Sequence, residues 1–528
     1  MQLVSDIDYN YSKCKPWIEL EKGFFSGSVF LGKKMLNQED IRSIASSIIT
    51  IEDAMRLIRS LNGHFAMALA IGDSIFLAVD RLRTIPLFYE MNGEEVCVKN
   101  RILLDDITSH GINETAFKEL DYSLFVTGNN TIACNIYSVM AGECIVITNG
   151  KINRKFYHEL KTDSKVYNND KNIFVLMNQL FGEVTQRLIT YLNGRTAIIP
   201  LSGGHDSRLI VYYLKKYGYK DIISYTYGPE GNSESETSQK VAKYLGIKWY
   251  NIIYRPQLLQ KFFKTKFENI TDFCFNGVSS VCVQDWYAVD YLKQQGVVPK
   301  DAVFVPGHSF DFLAGGHILP KYIEKSSITQ EQLIKDIVWK HFSEGVRELP
   351  QDQYDYYKRY ILNEYLKGYP QILNNRDACC IYHNFDLRER QSKFICNQVR
   401  IYEYYGYDWF LPLWDSKLTD FWMSIDIELR YNRKIFFDFT NHEYRDLMLE
   451  APVENEKIKS VHKVKMNPFA RVCRKINQLV NYVDFHYCLA YFSRREVIMM
   501  FLPKKVLNIG YFVNYKIKKI IRRRIKNG

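Results

Sequence analysis

Along the middle of the chain, short continuous apolar runs alternate with apolar residues at helical spacing. Ala197, Ile198 and Ile199 form one run, bounded upstream by the turn pair Asn193-Gly194, and predict a buried strand. Leu209, Ile210, Tyr213, Leu214 and Tyr217 then recur at helical spacing until Gly218 stops them. The alternation repeats as a strand over 222–227, a helix over 234–245 closed by Gly246, a strand over 248–254 and a strand over 302–306. Ahead of them Phe174, Met177, Phe181, Val184, Leu188 and Tyr191 mark a helix over 173–192, an ordinary core stripe. Strands alternating with helices build a doubly wound parallel sheet covered on both faces. Ligands of such sheets gather at the carboxyl ends of the strands.

The front of the chain has a different rhythm. A strand over 23–32 is followed by a short helix over 52–61, with Ala54, Leu57, Ile58 and Leu61 on one face. The stretch 61–73 then carries a hairpin signal, strands follow over 74–80 and 81–89, and Asn92-Gly93-Glu94 is a further hairpin turn. These elements predict a β-rich sandwich domain over 1–155, although residues 1–20 carry little pattern. A polar linker over 155–171 leads to an α/β domain over 172–470. The remainder, 471–528, ends in a basic amphipathic helix over 515–526.

Composition narrows the class. A chain of 528 residues exceeds the ~250–300 at which single cores stop growing, so several domains are expected. No stretch approaches the ~20 apolar residues of a membrane span, and the start lacks the basic and apolar regions of a secretory signal. A soluble cytoplasmic protein is expected. The 11 cysteines form no Cys-x-x-Cys pair, which argues against a disulfide framework and a zinc ribbon. The net charge of +11 is mild and concentrated at the end. A solvated terminal helix accounts for it, weak contact with an acidic membrane surface is the alternative, and nucleic acid is not expected as a partner.

The candidate chemistry lies just after the strand at 197–199, in Ser202-Gly203-Gly204-His205-Asp206-Ser207. A strand, a glycine turn and a helix N-terminus together present free backbone N–H groups and a positive dipole end to an anion. Ser202 and Ser207 add hydroxyl donors. Asp206 repels a phosphate directly but suits a carboxylate holding Mg²⁺ against phosphates. No Gly-Lys-Ser/Thr follows the glycines, so the loop is not a Walker A loop. A glycine-rich turn without ligand is the alternative.

The loop resembles the Ser-Gly-Gly-x-Asp-Ser pyrophosphate loop of the ATP-pyrophosphatases, and in particular of the asparagine synthetase and β-lactam synthetase family. That resemblance implies Mg²⁺ and ATP as cofactors, with Ser202, Gly203, Gly204, Asp206 and Ser207 at the nucleotide and Tyr227 beside the adenine. Residues 307–317 resemble the family's second signature, which implies that Gly307 contacts nucleotide and that Asp311 shares the metal with Asp206. His308 stands where the family has an acid/base Glu, and Phe312 replaces a second acid; a histidine still moves protons near neutral pH. The segment 407–415 resembles the family's acceptor segment and implies a substrate contact by Asp415, with Phe410 in place of its Arg. Among Lys459, Lys463 and Lys465, Lys463 is the candidate for the family's mobile catalytic lysine.

The front domain is similar to class II glutamine amidotransferase domains of the Ntn type, in the stretches 61–66 and 80–89. The family's nucleophilic Cys is missing, because position 2 is Gln2 and Cys14 is the nearest thiol; a fold without glutaminase activity is expected. The implied reaction is adenylation of a small-molecule or peptide carboxylate and its transfer to ammonia or an amine, with release of AMP and pyrophosphate. Amidation of a sugar acid for surface polysaccharide and closure of a peptide or lactam ring both fit. A non-catalytic nucleotide-binding remnant and a tRNA-modifying ATP-pyrophosphatase are the alternative readings.

Overall fold

A computed structural model describes residues 1–161, 170–342 and 349–443. Lys459, Lys463, Lys465 and the basic terminal helix lie outside the described residues.

The front domain is a two-sheet sandwich. Strands β1 (Gln2–Asp6), β2 (Trp17–Leu20), β3 (Gly23–Leu31), β4 (Lys34–Met35), β5 (Leu61–Ile71), β6 (Ser74–Val79), β7 (Phe88–Asn92), β8 (Glu95–Lys99), β9 (Ile136–Ser138), β10 (Glu143–Thr148) and β11 (Lys151–Phe156) supply it. One sheet runs β1-β8-β7-β9 and the other β11-β10-β6-β5-β3-β2, with β4 paired to β3. Ala66, Ala68, Ile75 and Leu77 of one sheet share a core with Tyr89, Val96 and Val98 of the other. The outer face of the larger sheet is covered by α1 (Gln38–Ser47) and α2 (Ile51–Ser60), through Ile41, Ala45, Ala54, Met55 and Ile58. Thr50 opens α2 with a reciprocal capping box to Asp53. The β5–β6 hairpin and the turn at Gly93, where φ is +63°, stand where the pattern predicts. The first strand does not: β1 lies parallel to β8 at the sheet edge, held by Lys99 Nζ against Asp6 at 2.5 Å and Asp106 at 2.9 Å.

The second domain is the doubly wound sheet. Its strands are β12 (Ala197–Pro200), β13 (Ile222–Gly228), β14 (Lys248–Ile253), β15 (Val303–Phe304) and, after the small antiparallel pair β16 (Ser327–Thr329) and β17 (Ile372–Asn374), β18 (Asp408–Trp409). They pair in the order β14-β13-β12-β15-β18, all parallel. Ala197, Ile198 and Ile199 are consecutive and all fully buried, so both faces of β12 are covered. The helices that matter for the site are α3 (Asp170–Leu192), α4 (His205–Lys216), α5 (Ser233–Leu245), α6 (Pro256–Cys274) and α7 (Trp286–Gln294). Helix α5 ends on Gly246 with φ at +61°, a left-handed cap that glycine adopts without strain.

The two domains share one core, in which Phe30, Leu82 and Ile102 of the sandwich pack with residues of the sheet domain. Polar contacts reinforce the seam. Arg81 reaches Asp420 at 2.6 Å, and Lys15, buried to 1% exposure, donates to the Trp409 carbonyl at 3.0 Å and pairs with Asp408 at 2.5 Å. Asp408 holds Lys15 protonated against the cost of its burial.

Candidate functional site

Chain order makes β12 and β15 the pair at which the sheet reverses direction, since the strand after β12 lies on one side of it and β15 on the other. The crevice beyond the carboxyl ends at such a point is where doubly wound sheets bind ligands. The loop 201–207 leaves β12 there, and the segment that follows β15 faces it. Between them lies a cavity of about 220 Å³, lined by Ser202, Asp206, Ser207, Tyr227, Gly307 and His308 among others.

The loop holds its shape through its own serines. The Ser202 N–H donates to Ser207 Oγ at 3.1 Å and the Gly204 N–H to Ser202 Oγ at 3.1 Å, while Arg208 donates to the Gly203 carbonyl at 2.7 Å. Gly204 caps α4 with no side chain over the helix end, leaving the first-turn N–H groups toward the cleft. A Cβ on Gly307 would stand 3.2 Å from Asp206 Cβ and 3.3 Å from the Ser207 nitrogen, tighter than most Cβ contacts, so glycine eases the close approach of the two loops.

Arg433 pairs with Asp206, and the same guanidinium acts on Asp311. Arg433 itself has φ at +61° and lies over the rings of Phe436 and Phe437. His317 donates through Nδ1 to the buried Asp386 at 2.7 Å and stands 3.6 Å from Asp311 through Nε2. Burial alone would raise the Asp311 carboxyl, but His317 and Arg433 more than offset it and hold the group well below the usual carboxylate range. His308 has no hydrogen-bond partner at Nδ1, and burial pushes its imidazole down to about 4, against the pull of Asp311. It is therefore neutral at pH 7, able to accept a proton and not to donate a positive charge.

A divalent cation fits these donors. A guanidinium already satisfies one carboxylate and acts on the other, which is the stand-in expected for a cation between them. Among the described residues no three His, Cys, Asp or Glu side chains form a metal cluster. Two carboxylates completed by phosphate oxygens match the usual habit of Mg²⁺.

The structure thus brings Ser202, Asp206, Ser207, Tyr227, Gly307 and His308 to one cavity, with Gly203 and Gly204 in the same loop; Asp311 does not line it and is tied to Asp206 through the Arg433 guanidinium that acts on both. It does not bring Asp415 there. That carboxylate is buried in the domain seam, where it accepts from Arg187 Nε at 2.6 Å and Asn62 Nδ2 at 2.8 Å and caps the helix Ser416–Ser424. Phe410 stacks on Tyr191 nearby, 4.5 Å between ring centroids. Arg433, His317 and the cleft residue Asp285 do not follow from the sequence pattern; only their place in the fold marks them.

The fold and crevice define an α/β domain with a serine–glycine loop and a helix N-terminus at the switch point of a parallel sheet. Residues 196–436, which contain the whole crevice, match the family model of asparagine synthase. The match covers less than half of the 528-residue chain and is a likeness of this part to the asparagine synthase family. No protein of curated function matches the sequence. Among solved structures, the allosteric regulatory enzyme of purine biosynthesis aligns at 9% identity and a TM-score of 0.19, over 45% of this chain and 62% of that one. Glutamine phosphoribosylpyrophosphate amidotransferase from B. subtilis, complexed with ADP and GMP, aligns at 10% identity and a TM-score of 0.18, over 44% of this chain and 71% of that one. The chain therefore spans less than two thirds of the first of these. No helix among the described residues is long and apolar enough to cross a membrane.

Proposed function

We propose that the protein adenylates a carboxylate with ATP in this crevice and passes the acyl group to ammonia or an amine, releasing AMP and pyrophosphate. The observation that carries this is the convergence of the serine–glycine loop, the Asp206 carboxylate and the α4 N-terminus at the switch point of a domain similar to asparagine synthase, with Asp311 tied to Asp206 through Arg433. The loop N–H groups and serine hydroxyls bind and orient the phosphates. Asp206 and Asp311 would hold Mg²⁺, which when bound neutralises charge on the phosphate oxygens. Arg433 must leave Asp206 as the cation arrives, which frees its guanidinium for a phosphate. Calorimetric titration with a non-hydrolysable ATP analogue should give Mg²⁺-dependent heat that Asp206→Ala weakens. A folded parent protein that gives no heat with Mg²⁺ present rules the reading out.

The nitrogen does not come from glutamine in this reading. Gln2 has no thiol, and burial, with Glu403 adding to it, pushes the Cys14 thiol up to about 12. A thiol so protonated at neutral pH is a poor nucleophile. The purified protein should release no glutamate from glutamine, with or without ATP, and glutamate release lost in Cys14→Ala would contradict this. Sugar acids of surface polysaccharides and peptides that close a ring are the carboxylates proposed as substrates.

A further inference from the structure

The crevice holds a buried carboxylate that the reaction described above does not use. Asp285 precedes α7 in the position where an aspartate normally caps the helix, yet its side chain makes no capping bond. It is 1% exposed and lines the cavity together with Gln284, Gln398, Tyr402 and Tyr225. The Tyr402 hydroxyl donates to Asp285 Oδ2 at 3.0 Å, while Oδ1 is buried and makes no hydrogen bond. The Tyr225 hydroxyl beside it is likewise buried without a partner. Burial pushes the Asp285 carboxyl up to about 6, against Gln398 and Tyr402, so at neutral pH the group is mostly ionised.

Buried polar atoms are almost always paired, and a buried carboxylate whose contacts are neutral groups is costly to keep. Among the described residues the remainder of the cavity does not supply the missing charge: those that line it include Asp206, Glu234 and Asp285 and no lysine or arginine. A nucleoside base or a ribose would bring only neutral donors to Asp285. An ammonium brings both the donors and the balancing charge.

We infer that the crevice takes an amine-bearing substrate and that Asp285 is the group that binds its protonated primary amine. The inference rests on the ligase reading and names the substrate class for it: the carboxylate or the acceptor carries a cationic nitrogen, and a neutral sugar acid alone would leave Asp285 unmatched. Tyr402 is a positioning residue, since its hydroxyl fixes Oδ2 and leaves Oδ1 without a partner.

The test uses the full chain, with ethylammonium as the probe and propan-1-ol as its neutral counterpart, both followed by ligand-observed NMR titration. The same preparations are titrated with the non-hydrolysable ATP analogue and Mg²⁺. Ethylammonium should bind the parent at least tenfold more tightly than propan-1-ol, and Asp285→Asn should remove about tenfold or more of that affinity. The ATP analogue should bind parent and variant within twofold. Equal binding of the cation and the alcohol by the parent overturns the inference without any variant. So does unchanged ethylammonium affinity in Asp285→Asn, or a loss of ATP-analogue affinity in that variant, which would assign Asp285 to the nucleotide. Failure of the parent to bind the ATP analogue, with the cation preference intact, would instead count against the ligase reading and leave the amine site standing.

Discussion

Replacing either Asp206 or Asp311 by Asn should lower the rate of substrate-dependent exchange of labelled pyrophosphate into ATP by about 10²–10³, the usual loss when one preorganised electrostatic group of a reacting centre is removed. The argument begins with the sheet. β12 and β15 are adjacent and parallel, with Ala197 opposite Val303 and Ile198 opposite Phe304, so the segments that follow them emerge side by side. Gly307 lets the second segment come within contact of Asp206, and Arg433, which pairs with Asp206, also acts electrostatically on Asp311. Asparagine keeps the shape of each side chain and removes its charge, so a loss in both variants isolates the charge. The exchange requires cleavage between the α and β phosphates; a chain that instead formed ADP and phosphate would give none. Exchange undiminished in Asp311→Asn would refute the role given to that residue. Absence of exchange from the parent with every plausible carboxylate and amine, despite tight ATP-analogue binding, would favour a nucleotide-binding protein without ligase activity.

What was legible in the sequence follows from how local each signal is. β12 and its loop could be found because burial on both faces demands an unbroken apolar run and a close backbone approach demands glycine. Both demands act within ten residues. The strand expected over 302–306 is paired only at Val303 and Phe304, since Pro306 has no N–H to give and the backbone turns toward the crevice there. β1 escaped notice because an edge strand needs no alternation; its pairing with β8 is secured by Lys99, which lies more than ninety positions away along the chain. The place of Asp415 in the seam, away from the crevice, was hidden for a related reason. A carboxylate in an acceptor-like segment and one that bridges Arg187, Asn62 and a helix end look alike until the seam is seen. Asp285 and Arg433 acquire meaning only from partners far away in sequence, Tyr402 for one and Asp206 for the other. His308 was identified by position, and its neutrality came from burial that no local pattern records.

The largest loss of stability should come from Lys393→Met. Lys393 and Glu389 form an ion pair one helical turn apart, Nζ to Oε2 at 2.6 Å, and neither side chain reaches solvent. Lys393 also donates to the carbonyls of Val126 at 2.7 Å and Gly128 at 2.6 Å, both in the front domain. Glu389 in turn accepts from the hydroxyls of Tyr360 at 2.5 Å and Tyr365 at 2.9 Å and from the Gly128 N–H at 3.1 Å. Burial pulls the Lys393 ammonium below its ordinary pKa while Glu389 pulls it back, so the pair is balanced by its own geometry. Methionine fills the space and leaves the Glu389 charge buried with neutral donors alone, along with two carbonyls without a donor. Breaking a buried pair from one side costs about 3–5 kcal/mol, a large part of the ~5–15 kcal/mol that holds a folded protein together. The exposed pair of Lys335 and Glu331, also one turn apart at 2.7 Å, provides the control, because solvent screens it and Lys335→Met there should leave the midpoint close to the parent's. Urea denaturation of the parent and the two variants, followed by tryptophan fluorescence, separates the cases. A midpoint for Lys393→Met as close to the parent as that of Lys335→Met would mean that the buried pair does not join the sandwich to the sheet domain. A large downward shift confined to Lys393→Met is the expected result, and restoring both partners' neutrality in Lys393→Met with Glu389→Gln should recover part of it, since the uncompensated charge is then gone.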